Sequence, residues 1–169
     1  MDVVAHGLWA GIGVALARHR WPISRRTAAA TVALAIVPDL AQLAPLLAVA
    51  LASGQFDVLR AYAHALPALV AMLAHHLHCI LHSAVIAGAV TVLVRCRLGR
   101  IWIPLWGWWS HIVIDVFTHS ADYYPVPVLY PFTQRGFDGL AWNTPWFLAL
   151  NYAAIVLALL FVSLTRPAA

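Results

Sequence analysis

Five apolar runs, at about residues 3–17, 28–52, 64–94, 101–117 and 146–164, occupy most of this 169-residue chain. In hydrocarbon every backbone N–H and C=O must find its partner inside the protein, so runs of this kind close their hydrogen bonds as helices. Hydrophobic residues make up 63% of the chain and charged residues only 9%, whereas soluble domains carry roughly 25% charged residues. The expected fold is therefore all-α: a polytopic membrane helix bundle forming a single domain over residues 1–169, with about five transmembrane segments. The first and fourth runs fall short of the ~20 residues that a span needs, and are expected to be tilted or shielded by protein.

Charge placement gives the bundle a direction. All ten basic residues are Arg and all six acids are Asp. Arg18, Arg20, Arg25 and Arg26 lie between the first and second runs, Arg95, Arg97 and Arg100 between the third and fourth, and Arg166 after the fifth. The alternate loops carry only Arg60 and Arg135. The positive-inside rule then places the N-terminus outside and the C-terminus in the cytoplasm, which suits the inner membrane of a prokaryote. The first run lacks a basic leader and an A-x-A-like site, so it reads as a retained anchor. A formal charge of +4 spread over loops gives no basic face, and no nucleic-acid partner is expected. Cys79 and Cys96 read as lying on one helix about 25 Å apart, too far for a disulfide.

Ionisable groups within such a chain are costly and persist mainly where they act. In GWWSHIVIDVFTHS, residues 107–120, His111, Asp115 and His119 are spaced by four and share one helical face. In the third run His64, His75, His78 and His82 fall within about 60° of one another on a helix, while His76 points elsewhere. His6 opens the first run, and Pro38-Asp39 sits near the middle of the second. A single such histidine is most simply an interhelical hydrogen bond. A stripe of them opposite aspartates is a different matter, because imidazole and carboxylate together suit zinc and similar ions, and the ion offsets the cost of burying the acids. The candidate metal ligands are His6, Asp39, His78, His82, His111, Asp115 and His119, for one or two divalent ions. Asp115 is placed to bind or bridge, and His119 to bind or to orient.

Tryptophans near the run ends read as an interfacial belt. The Pro- and aromatic-rich loop at 118–145 is expected on the extracytoplasmic side, as a lid, a surface-lying segment or a plain connection. Within it Arg135 is a candidate for substrate phosphate and Asp138 for a partner.

Several short motifs occur in a telling order: His6 in AHGLWAG, Pro38-Asp39, His82-Ser83 in LHSA, HIVID followed by FTHS, and LYPF at 129–132. Over residues 6 to about 145 this order resembles the LexA-regulated, membrane-bound metal-dependent hydrolases, in particular a shorter subgroup ending in THS, LYPF, FDG and a Trp. The resemblance implies kinship with the zinc-dependent phospholipase C and single-strand nuclease superfamily, whose zinc cluster is bridged by an H-x-x-x-D carboxylate. It implies His6, Asp39, His82, His111 and Asp115 as ligands. Many members carry H-R-G-x-T-H-S where this chain has LHCILHS, so His78 does not match that motif's first histidine.

The expected function is a metal-dependent hydrolase that cleaves a lipid or lipid-linked phosphoester at the outer membrane face with a metal-activated water. Asp39, Asp115 and Arg135 are its expected catalytic residues. Three other classes fit parts of the pattern. A metal permease or proton pathway would use the same intramembrane His and Asp. A di-haem carrier would use the histidines but gives the aspartates no role. A structural membrane protein would use all of them as helix contacts.

Overall fold

The computed structural model describes residues 1–54, 68–122 and 124–165. His64, Arg60 and Arg166 lie outside the described residues. The regular elements are helices: α1 (Val3–Ala17), α2 (Arg25–Ser53), α3 (Ala68–Leu81), α4 (Ala84–Leu98), α5 (Leu105–Thr118) and α6 (Pro145–Leu164). Short polar side chains start three of them by accepting an orphan N–H of the first turn, with Asp2 capping α1, Ser24 capping α2 and Ser83 capping α4. Gly54 and Gly99, both with φ in the left-handed region, end α2 and α4.

By length and composition α2 and α6 can each cross a membrane, and the α3–α4 pair is a third candidate if taken as one broken span. The 15 residues of α1 and 14 of α5 cover only about 21–23 Å of the ~30 Å hydrocarbon core. The apolar runs therefore yield two or three span-length elements, with α1 and α5 as shorter helices packed against α2. Helix α6 packs on α1 through Ile155 and Val162 against Ala5 and Ile12. Its other side leaves Leu157, Leu160 and Leu164 exposed, as a lipid-facing surface would.

The third run departs from a single helix. It bends by 60° between α3 and α4, at His82-Ser83, with no Pro or Gly to cause it. The groups released there are taken up by tertiary partners. Trp108 Nε1 donates to Leu81 O at 2.6 Å, Ala84 N donates to Val128 O at 2.9 Å, and Ser83 Oγ donates to Tyr130 O. Such pairing of released backbone groups is what makes a helix break tolerable inside a protein. Cys79 and Cys96 consequently sit on different helices, both as free thiols.

Helices α2 and α5 run side by side in the same direction and in step. At Gly107 an added Cβ would lie 1.9 Å from Thr31 O, so only glycine permits the approach. One turn further, His111 Nδ1 donates to Ala35 O at 2.8 Å. Another turn brings Asp115 and Asp39 around the imidazoles of His111 and His82. The four-residue spacing of 107, 111 and 115 thus meets the same spacing of 31, 35 and 39.

The 118–145 loop folds back on α5. Gly139, Leu140 and Trp142 donate their N–H groups to His119 O, Phe117 O and Thr118 O at 2.8–3.0 Å. A Cβ at Gly139 would lie 2.5 Å from Phe117 O, which explains the glycine. Asp138, read from sequence as a partner residue, accepts from Ala121 N and fastens the loop to itself.

Candidate metal centre

Asp39 of α2, His82 at the α3–α4 break, and His111 and Asp115 of α5 are all buried, and each offers an atom within 4.8 Å of the others'. His82 Nε2 lies 3.4 Å from Asp115 Oδ2 and 3.6 Å from Asp39 Oδ1. His111 Nε2 lies 3.2 Å and 3.8 Å from the same two oxygens. From α1, His6 Nε2 reaches Asp115 Oδ1 at 2.9 Å and Asp39 Oδ2 at 4.0 Å. Such a cluster of two carboxylates and converging imidazoles could hold a metal ion.

The hydrogen bonds on the far side of the rings decide how they present themselves. His82 Nδ1 donates to His78 O at 2.9 Å, His111 Nδ1 to Ala35 O at 2.8 Å, and His119 Nδ1 to Tyr124 O at 2.7 Å. A carbonyl only accepts, so each Nδ1 carries a proton, and in the neutral form of each ring Nε2 turns a bare lone pair inward. Fixing Nδ1 on a backbone carbonyl is the usual way a protein orients a metal-binding histidine. His82 Nε2 and His111 Nε2 then face each other at 2.9 Å. Two lone pairs at that distance repel unless a proton or a metal ion lies with them, and two nitrogens on one tetrahedral zinc ion sit about 3.3 Å apart. Asp39 Oδ2 and Asp115 Oδ2 are buried without a hydrogen bond of normal geometry. Buried carboxylates left in that state are strongly unfavourable, and a cation meets the need directly. The residues present fit a divalent ion.

Two further histidines border the cluster. His119 Nε2 lies 3.6 Å from Asp115 Oδ1. Burial pushes its imidazole down to about 4 against the opposing pull of Asp115, which leaves it neutral near pH 7. The carbonyl that holds it belongs to Tyr124, whose φ of 52° is unusual for a bulky residue. His78 is buried with neither ring nitrogen in a hydrogen bond of normal geometry, stacked 4.1 Å from the His82 ring and 4.4 Å from Tyr124. The α-amino group of Met1 contacts Asp115 Oδ1 and stands 3.2 Å from His119 Nε2.

Of the candidates read from sequence, His6, Asp39, His82, His111 and Asp115 come together, with His119 and His78 alongside. His75 is exposed, with Nε2 3.5 Å from Cys79 Sγ, and the exposed His76 bonds to Met72 O. Arg135 is exposed on the loop, and among the described residues no contact ties its guanidinium to the cluster. Gly107, Trp108 and Tyr124 were not foreseen as positioning residues. The four-residue spacing from Gly107 to His111 was the available signal for the first.

The cluster opens through a cavity of about 400 Å³ bordered by Asp39, Gln42, His119, Asp122, Tyr124 and Trp142. Water and a small polar group can reach the carboxylate edge from there. Comparison of the chain with known protein families, with curated proteins and with solved structures gave no match.

Proposed function

We propose that the protein is a membrane-embedded, metal-dependent hydrolase acting on a lipid phosphoester. The observation that carries this reading is the pair of imidazoles, His82 and His111, with Nδ1 tied to carbonyls and Nε2 lone pairs turned on Asp39 and Asp115. His6, Asp39, His82, His111 and Asp115 would hold the first ion, and their nitrogen and oxygen donors suit zinc. His119, 3.6 Å from Asp115 Oδ1, and His78, stacked on His82, would supply donors for a second ion. When bound, the metal supplies a water acidified to a pKa of about 7.

The chain's own residues do the rest. Asp39 lies at the boundary between cluster and mouth, and its free Oδ2 orients the attacking water and takes up its proton. Carbonyls of Ala35, His78 and Tyr124 keep the imidazoles from rotating. Arg135 is the single arginine of the 118–145 loop and neutralises charge on the phosphoryl oxygens from the solvent side. In this reading α1, α2, the α3–α4 pair, α5 and α6 make five passes of a prokaryotic inner membrane, with the N-terminus and the mouth outside and the arginine-rich loops inside.

The test is hydrolysis of long-chain lipid phosphoesters (a diacyl phospholipid and a prenyl phosphate) by the purified protein in mixed micelles with zinc, manganese or neither. Metal-dependent release of product, abolished in Asp39→Asn, supports the reading. A metal-loaded wild type that cleaves no phosphoester contradicts it.

A further inference from the structure

Further cavities lie beside the metal centre. Met1 borders both the mouth and a second cavity of about 400 Å³ between α1, α5 and α6, walled by Ile114, Thr118, Phe147 and Asn151. Trp9 and Ser110 in turn border both that cavity and a third of about 630 Å³. The third follows the seam of α1 and α5 past Gly13 and Trp106 to Trp21 and Ile103. The three spaces therefore share walls in sequence, changing character along the way. Asp39, His119 and Asp122 line the first, whereas the last is walled almost entirely by aliphatic and indole side chains.

We infer that this furrow holds the hydrocarbon tail of the lipid whose phosphoester sits at the metal centre. The inference rests on the hydrolase reading and specifies the substrate as a long-chain lipid. Its polar-to-apolar axis matches that of an amphiphile with one charged end. The furrow follows α1, whose 15 residues span about 22 Å, deeper than one leaflet of a ~30 Å core. A water-soluble phosphoester would leave that apolar length unfilled, at the cost of the contacts an occupied groove provides.

Gly13 offers a clean way to close the furrow. A Cβ built there meets nothing within 4 Å, so a larger side chain enters open space rather than the packed core. The experiment uses two photoreactive probes, each with a diazirine at the tail end, one a diacyl phospholipid and the other a prenyl phosphate. Each is incubated with the full chain and with Gly13→Phe in micelles, and adducts are mapped by peptide mass spectrometry. The inference predicts adducts concentrated on α1 and α5 residues of the furrow, such as Trp9 and Trp106, and lost in Gly13→Phe. Labelling by one probe alone also supports it and names the kind of tail. Adducts spread over exposed α6 residues such as Leu157 and Leu164 with no excess in the furrow overturn it, and so does furrow labelling that Gly13→Phe leaves unchanged. Metal content measured on the same samples keeps the two readings separable, since a metal-free wild type counts against the hydrolase while labelling reports on the furrow.

Discussion

His82 and His111 face each other through Nε2 atoms 2.9 Å apart, although each has already given its Nδ1 proton to a backbone carbonyl. One lies at a helix break and the other on α5, so the encounter is built by tertiary structure. Neutral rings in this arrangement have no proton to share between the facing nitrogens. A cation held between them would complete the pair, and the two aspartates beside it could bind the same ion.

The first prediction concerns those protons. In metal-loaded protein, nitrogen NMR of labelled histidine should show His82, His111 and His119 as Nδ1–H tautomers with metal-bound or bare Nε2. Finding His82 or His111 protonated on Nε2 would contradict the assignment of their carbonyl bonds.

Gly107→Ala should be costly. Its Cβ would sit 1.9 Å from Thr31 O, so α5 must move off α2 and carry His111 and Asp115 with it. Overpacking of this kind costs about 1–3 kcal/mol, and metal occupancy should fall with it. Gly88→Ala is the control, since its Cβ meets nothing within 4 Å, and it should be neutral or gain up to about 1 kcal/mol. Thermal unfolding of both variants makes the comparison, and equal behaviour would contradict the close-approach argument.

Ser83→Ala should lower stability by about 1 kcal/mol for the lost cap. Tyr130 O also loses its donor, which adds to the effect. Because His82 is the neighbouring residue, metal affinity should weaken along with stability. Chelator competition measures the first and denaturant unfolding the second.

These helices were legible to very different degrees. The apolar run at 3–17 after Asp2 coincides with α1, because composition and cap agree there. The break at His82-Ser83 was not legible. The histidine spacing continues into it at helical period, and the groups that permit it, Trp108 and the carbonyls of Val128 and Tyr130, lie 25 or more residues away. His111, Asp115 and Asp39 could be read as ligand types from residue chemistry. Their meeting with His82 depended on the α2–α5 register that Gly107 sets, which is a relation between helices and leaves only a four-residue spacing in the sequence. His75 stays outside the cluster for a related reason: sharing a helical face with His78 does not put both residues on the buried side of a helix.

Arg135→Ala separates binding from metal chemistry. A guanidinium that pairs with substrate phosphate contributes about 1.5–3 kcal/mol, or roughly 10- to 100-fold in KM. Metal content should stay at the wild-type level, because Arg135 is exposed and makes no described contact with the cluster. A fall in kcat with KM unchanged would instead place Arg135 in the transition state alone.

The most direct test is the metal content of the purified chain by mass spectrometry, after zinc repletion, for wild type, Asp115→Ala and His82→Ala. Circular dichroism on the same samples checks that each remains helical. The account predicts about one to two equivalents of a zinc-type ion in the wild type and loss of metal in both folded variants. A folded wild type that stays metal-free after repletion would contradict it and leave the His–Asp cluster as a set of helix contacts.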